Sequence, residues 1–179
     1  AFGQKHGLKI GTISDLIAYR RRYDNLIRID RQEQVLSEIG GEWTVHVFVD
    51  QTTGVEHLAL SKGDVSDGEP VLVRMHAMNV MNDVLAINPN RNGLVHGAMQ
   101  TIADKGRGVL VLFRDVSPTI NTADVRAPEE LRSYGLGAHI MDALGISQVI
   151  LLSNSPTPRL VGLEGYKLSI VGTQPIAKV

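Results

Sequence analysis

The chain has 179 residues, 43% hydrophobic and 21% charged, with a formal net charge of −1. This length supports one sizeable core, and the near-neutral charge provides no general attraction to nucleic acid or an anionic membrane. Because the chain has no cysteine, a disulfide, a thiolate-bound metal and a cysteine nucleophile are excluded. No apolar run reaches the roughly 18 residues of a membrane helix. We therefore expect a cytoplasmic protein without a metal cofactor that binds neither nucleic acid nor membrane.

The first predicted helix begins at a capping box. Thr12 can accept a hydrogen bond from the amide three residues later, and Asp15 suits the positively polarised first turn. The residues around this helix differ in character from the rest of the chain. We therefore expect that the sequence is a fragment of a longer polypeptide.

Strands follow the helix. From Gln34 onward apolar residues recur with a period of two, which is the pattern of half-buried strands. A turn sequence at residues 51–54 separates two such runs. The pattern predicts a hairpin formed by Glu42–Asp50 and Val55–Ser61.

The second half of the chain alternates strands with helices. Strands are predicted at Pro70–His76, Val109–Phe113 and Gln148–Leu152, with helices near Gly93–Lys105 and Glu129–Leu144. A strand-helix-strand order favours parallel pairing, whereas the earlier hairpin is antiparallel. The predicted fold is therefore α/β, a three-layer sandwich with a mixed sheet.

Candidate binding residues follow two of these strands. His76 ends a buried strand two residues after Arg74, at the edge where α/β sheets usually place ligands. Ser153 directly follows the last predicted strand, with Arg159 nearby, so its hydroxyl and the adjacent amides could receive an anion. Packing of His76 and helix capping by Ser153 remain alternatives. The six histidines lack the spacing of a helical zinc pair.

Several blocks of sequence have a familiar order. They are Val73–His76 (VRMH), Ile102–Gly108 (IADKGRG), Arg132–Ala138 (RSYGLGA) and Gly162–Tyr166 (GLEGY). In combination they resemble the GTP cyclohydrolase II domain of bifunctional riboflavin-biosynthesis proteins. The segment that begins His6-Gly7-Leu8-Lys9-Ile10 resembles the closing segment of 3,4-dihydroxy-2-butanone 4-phosphate synthase. The resemblance implies that residues 1–30 are the end of a preceding synthase domain on the same polypeptide and that residues 31–179 form a domain with a GTP cyclohydrolase II-like fold.

The chain departs from the family pattern where the chemistry lies. The family holds zinc with three cysteines spaced C-x10-C-x-C, and here Asn79, Asn90 and Asn92 stand at those positions. A carboxamide oxygen is a poor zinc ligand, so the resemblance implies that no zinc-bound hydroxide forms. A Glu and an Arg that help the family read guanine correspond to Val116 and Pro118. The family's covering helix, with its catalytic tyrosine, has no counterpart.

Some of the family's phosphate-side residues are retained. Arg132 matches the arginine thought to act as nucleophile at the phosphate, and Glu130 stands at an aspartate position. Ser153 and Arg159 lie near its phosphate contacts. Roles on a helix surface or in a turn explain these residues equally well. The residues predicted to retain ligand binding are Arg74, His76, Arg132, Ser153 and Arg159.

The functional prediction is a GTP cyclohydrolase II-like domain with no catalytic residue and no cofactor. Such a domain would be kept for folding, dimerisation or regulation of a synthase on the same polypeptide. The alternative is a binding module that senses a nucleotide or sugar phosphate. We also expect a homodimer, because the small residues of Gly135–Ala138 permit close approach of two chains.

Overall fold

The structure is a computed structural model that describes residues 2–13, 15–16, 19, 26–114, 128–154 and 168–176, with the backbone alone described from 128 to 134. The strands in this part of the chain are β1 (Ile27–Ser37), β2 (Gly41–Asp50), β3 (Glu56–Lys62), β4 (Val71–Ala77), β5 (Gly108–Phe113), β6 (Gln148–Leu152) and β7 (Ser169–Gln174). The helices with described bounds are α1 (Phe2–His6), α2 (Val80–Asp83), α3 (Leu94–Lys105) and α4 (Pro128–Ala143).

The strands form one mixed sheet in the order β1-β2-β3-β5-β4-β6-β7. Neighbours from β1 to β5 are antiparallel, whereas β5, β4, β6 and β7 run parallel to one another. The antiparallel half contains the predicted hairpin, and the parallel half arises from the strand-helix-strand segments. The predicted mixed sheet is confirmed.

The two longest described helices cover opposite faces of the sheet. Alternate residues of β4 point to opposite faces, so that Leu72 packs with Ile102 of α3, while Val73 packs in the cluster that contains Ile140 of α4. The central strands are therefore buried on both sides, as parallel strands between helices are. The three-layer α/β sandwich is confirmed. No helix in the described part of the chain is long and apolar enough to cross a membrane.

Four of these elements were not predicted from the sequence, namely α1, β1, β7 and α2. β1 begins at Ile27, seven residues before the predicted alternation, and it spans the predicted boundary between residues 30 and 31. It lies at the sheet edge, where most of its side chains are polar and exposed, so no apolar period marks it. β7 is another edge strand, and α2 has only four residues. Short or edge elements bury too little apolar surface to leave a periodic signal.

The predicted capping box is present near the N-terminus. The Thr12 hydroxyl oxygen accepts from the Asp15 amide at 3.0 Å, while the Asp15 carboxylate accepts from both the Thr12 amide and the Thr12 hydroxyl. Hydrogen bonds from Thr12 lower the pKa of the exposed Asp15 carboxyl. The reciprocal contact satisfies three donors at the start of the helical turn, which are the amides of Thr12 and Asp15 and the hydroxyl of Thr12.

A close backbone approach joins β3 to the end of α3. Gly63 follows β3 at φ +68°, a left-handed conformation that favours glycine. A Cβ at Gly63 would lie 2.6 Å from the carbonyl oxygen of Gly106, the residue that ends α3. Because the obstacle is backbone rather than a mobile side chain, relief requires the chain to move.

We expect Gly63→Ala to lower the free energy of unfolding by about 2–4 kcal/mol, through the left-handed penalty and the added clash. The matched control is Gly54→Ala, since Gly54 also has a positive φ of +73° but has open space around its Cβ position. That control should cost about 1 kcal/mol. Urea unfolding of both variants measures the difference, and equal costs would show that the Gly106 contact is unimportant.

Candidate functional site

Arg74 and His76 lie at the carboxyl end of β4, in the middle of the sheet. They continue the side of the strand that carries Leu72, which packs in the cluster under α3. His76 is buried and Arg74 is partly buried. The last two inward residues of this face are therefore polar, and buried polar groups require hydrogen-bond partners.

The partners form a chain of contacts across three segments. One Arg74 guanidinium nitrogen donates to the carbonyl of Leu152 at 3.1 Å, and the other lies 3.4 Å from His76 Nδ1. His76 Nε2 lies 2.9 Å from both carboxylate oxygens of Asp83. Guanidinium groups only donate, so Nδ1 accepts and Nε2 carries the proton donated to Asp83. Both ring nitrogens of His76 are thus engaged inside the protein.

Asp83 ends the short helix α2 and turns back toward the sheet. Burial by itself would raise the pKa of the Asp83 carboxyl, but the hydrogen bond from His76 and the one from the Asn79 amide outweigh it, so the pKa lies below its ordinary value. The Asn79 amide donates to Asp83 Oδ2 at 2.7 Å. The carboxylate therefore ties both ends of α2 to β4.

The three asparagines predicted to replace zinc ligands lie in the connection between β4 and α3. Asn79 is the N-cap of α2, and its side-chain oxygen accepts from the Asn82 amide at 3.1 Å. Asn90 and Asn92 are exposed in a turn, where both of their amides donate to Asn88. The side chain of Asn79 is thus used locally to begin a helix.

No group of three His, Cys, Asp or Glu side chains that could hold a metal ion occurs in the described part of the chain. His76 and Asp83 form a pair, and their other hydrogen bonds are to the Arg74 guanidinium and the Asn79 backbone amide. Donor groups with protons do not coordinate metals, so the surroundings of this pair favour a hydrogen-bonded network.

The structure brings only part of the predicted site together. Ser153 directly follows Leu152, the residue whose carbonyl accepts from Arg74. The Ser153 amide donates to the Gln174 carbonyl at 2.9 Å. Arg74, His76 and Ser153 therefore share the carboxyl edge of the sheet. The side chains of Glu130 and Arg132 lie outside the described residues, as do Val116, Pro118, Arg159 and the Gly162–Tyr166 block.

Sequence reasoning missed Asp83. It stands four residues after Asn79, in the order of an N-cap residue followed by a short helix, and it is the only charged residue between His76 and Arg91. This isolated charge could have indicated a role for Asp83, because a lone carboxylate in an apolar stretch usually has a specific partner.

Two further histidines are buried on the opposite face of the sheet. His46 Nε2 lies 2.8 Å from the Ser61 hydroxyl, and burial lowers the pKa of His46. His57 Nδ1 accepts from the Arg114 amide at 3.2 Å, and its ring packs edge-on against Phe113. Both side chains belong to the packing between β2, β3 and β5 and point away from His76.

The fold and the position of these residues define an α/β domain with polar groups at the carboxyl edge of a mixed sheet. The family described as GTP cyclohydrolase II matches residues 28–175. The chain belongs to the GTP cyclohydrolase II family, and the resemblance seen in the four sequence blocks is confirmed.

The relatives are riboflavin-biosynthesis proteins. The monofunctional protein RIBA 2 of Arabidopsis thaliana is 35% identical over 190 residues, which cover 98% of this chain and 39% of the relative. RibBA of Phocaeicola vulgatus is 33% identical over 95% of this chain and 47% of its own length. The crystal structure of RibBX from A. baumannii, a two-domain 3,4-dihydroxy-2-butanone 4-phosphate synthase, superposes with a TM-score of 0.64 at 28% identity, covering 99% of this chain and 48% of RibBX. The chain thus spans less than half the length of these relatives.

We expect Asp83→Ala to lower the free energy of unfolding at neutral pH by about 2–3 kcal/mol, because His76 loses its buried acceptor. Asp104→Ala, which removes an exposed carboxylate from α3, is the control and should cost less than about 0.5 kcal/mol. Because the pKa of Asp83 is lowered in the folded state, its ionised carboxylate stabilises the fold above the unfolded-state pKa of about 4. This contribution is lost as the pH falls through the folded-state pKa, so the gap between wild type and Asp83→Ala should narrow in acid. A gap independent of pH would show that ionisation of Asp83 is not involved.

Proposed function

We propose that this domain is a catalytically inactive GTP cyclohydrolase II-like domain of a riboflavin-biosynthesis polypeptide, with a structural, dimerising or regulatory role. The observation that carries the proposal is the use of Asn79. At the position of the family's first zinc cysteine, this side chain accepts from the Asn82 amide and caps α2. The other two positions hold the exposed Asn90 and Asn92.

The donor set does not fit zinc. Neutral carboxamide oxygens bind zinc far more weakly than thiolates, and a structural or catalytic zinc site needs at least three protein ligands. His76, the nearest imidazole in sequence, already donates through Nε2 to Asp83 and accepts through Nδ1 from Arg74. The catalytic water of the resembled family would therefore have no metal to activate it.

The same contacts favour a structural role over ligand sensing at Arg74 and His76. An incoming phosphate would compete with the Asp83 carboxylate for the His76 proton and would meet a negative charge beside it. The Arg74 guanidinium is also held by the Leu152 carbonyl. These two residues therefore hold β4, β6 and α2 together.

The larger organisation is part of this proposal. We assign residues 1–30 to the end of a preceding 3,4-dihydroxy-2-butanone 4-phosphate synthase domain, residues 31–179 to the inactive domain, and the whole polypeptide to the cytoplasm as a homodimer. The similarity to the two-domain synthase RibBX over 48% of its length supports a synthase partner on the same chain. The enzymatic activity would then reside in the preceding part.

The alternative is a sensor of a nucleotide or sugar phosphate, supported by the position of Ser153 at the same sheet edge as Arg74. Arg132 and Arg159 would supply the cationic contacts.

A thermal-shift screen with GTP, GMP, ribulose 5-phosphate and flavins separates the two functions. Stabilisation by one of these compounds that is lost in Arg132→Ala favours the sensor, whereas no stabilisation favours the structural role.

We predict that the purified chain contains no stoichiometric zinc and releases no formate from GTP. The reason is that asparagine occupies all three ligand positions. Metal analysis by mass spectrometry and a formate assay with added Zn²⁺ make the test, with an active GTP cyclohydrolase II as the positive control. About one zinc per chain, or formate release, contradicts the proposal.

Restoring cysteine at Asn79, Asn90 and Asn92 together should recover zinc binding without GTP cyclohydrolase activity, since the guanine-reading residues at Val116 and Pro118 are also changed. A control with cysteines at three other asparagines, Asn82, Asn88 and Asn154, has the same number of thiols in a different arrangement. Zinc affinity of the first variant should exceed that of the control by at least about 100-fold. Turnover of GTP by the restored variant would show that the ligands were the only missing part.

A further inference from the structure

Asn92 is followed by glycine, and this is the one Asn-Gly pair in the sequence. Asn92 is exposed in the turn that precedes α3, and Gly93 is the N-cap of that helix at φ +73°. Glycine lacks the Cβ that would hinder the approach of the preceding side chain to its backbone nitrogen. The Asn92 carboxamide can therefore reach the Gly93 nitrogen more easily than it could reach the nitrogen of any other residue type.

The contacts around the pair leave both reacting groups available. Within the described residues the Asn92 carboxamide makes no hydrogen bond, and no carbonyl accepts from the Gly93 amide. The Asn92 amide donates to the Asn88 carbonyl at 2.9 Å, and the Gly93 carbonyl accepts from the Gly97 amide at 2.8 Å. These bonds hold the backbone on either side of the pair without involving its two reactive groups.

The other asparagines that the structure describes lack this combination. Asn88 precedes proline, whose nitrogen has no proton to lose. Asn79 and Asn154 use their side-chain oxygens as acceptors for backbone amides. The residues after Asn82 and Asn90 have amides that already donate to backbone carbonyls, at 2.8 and 2.9 Å.

The start of α3 favours negative charge beside the pair. The helix has 12 residues, and its N-cap glycine provides no side chain for the amides of the first turn. Partial positive charge at a helix N-terminus stabilises a nearby anion. This effect favours both the anion formed when the Gly93 amide loses its proton and a carboxylate in place of the Asn92 carboxamide.

We propose that Asn92 is a site of spontaneous covalent modification, in which its carboxamide is converted to a carboxylate. The deprotonated Gly93 nitrogen attacks the carbonyl carbon of the Asn92 side chain, and the new bond closes a succinimide ring. The carboxamide nitrogen takes up a proton and leaves as ammonia. Water then opens the ring at either carbonyl, which produces aspartate or isoaspartate. The net reaction consumes one water, releases one ammonia and involves no oxidant or reductant.

Either product adds a negative charge at the start of α3. Isoaspartate also inserts a methylene into the backbone, which changes the turn between Asn88 and Asn92. The buried residues of α3 begin at Gly97, so the packing of the helix on the sheet can remain. The reaction needs neither zinc nor GTP, and it therefore occurs whether or not the domain is catalytically inactive.

Peptide mass spectrometry after incubation of the folded full chain at mildly alkaline pH measures the reaction. The peptide that contains Asn92 should gain about 1 Da. The rate should rise about tenfold per pH unit, because only the deprotonated amide reacts. Asn90 is equally exposed and is the internal control, which should react at least about tenfold more slowly. Modification of Asn92 only in chains unfolded by urea would show that the native turn protects it, and would overturn the proposal.

Side-chain length provides an independent measurement. Asn92→Gln adds a methylene that disfavours ring closure, so ammonia release from the folded chain should fall at least about fivefold. Asn90→Gln should leave it within about twofold, and circular dichroism shows that both variants are folded. Methyl transfer from S-adenosylmethionine by a protein isoaspartyl methyltransferase detects the isoaspartate, and this label should disappear in Asn92→Gln alone. Undiminished ammonia release from folded Asn92→Gln overturns the proposal.

Discussion

The carboxylate of Asp83, held against His76, is the contact on which the carboxyl end of β4 depends. His76 is buried, and its imidazole would be left without an acceptor if α2 pointed elsewhere. A four-residue helix has too few internal hydrogen bonds to be stable alone. The single buried pair therefore determines where α2 lies, and with it which of the neighbouring side chains face solvent.

Local hydrogen bonds also give the connection between β4 and α3 its shape. It has an N-cap at Asn79, an inward carboxylate at Asp83 and a turn organised by Asn88. The core of the sheet does not depend on this connection, because β4 is held by its pairing with β5 on one side and β6 on the other. Family membership thus fixes the scaffold, while the chemistry depends on residues that can change independently.

The central elements were predictable because buried strands and helices have recognisable patterns of apolar residues in the sequence. β5 is a continuous apolar run, β4 begins with the apolar run Val71–Val73, and α3 ends at Gly106 in the left-handed conformation that helix termini favour. β1 was not predictable, since Ile27 is its one buried residue and polar side chains occupy most of the strand. Arg74 and His76 were identified as a pair, but their partner came from a segment whose geometry depends on tertiary contact. The link between Arg74 and Leu152 joins residues far apart in the chain, and no local pattern encodes it.

The order of strands in the sheet has a consequence for how the molecule is synthesised. The β1–β2–β3 meander completes its sheet only when β3 pairs with β5, for example Leu58 with Leu112, after β4 and α3 have been added to the chain. Closing so long a segment carries an entropic cost before any compensating contact forms. During translation the β3 edge of the meander therefore stays unpaired until β5 emerges. A chain interrupted before that point exposes this edge to pairing with other chains.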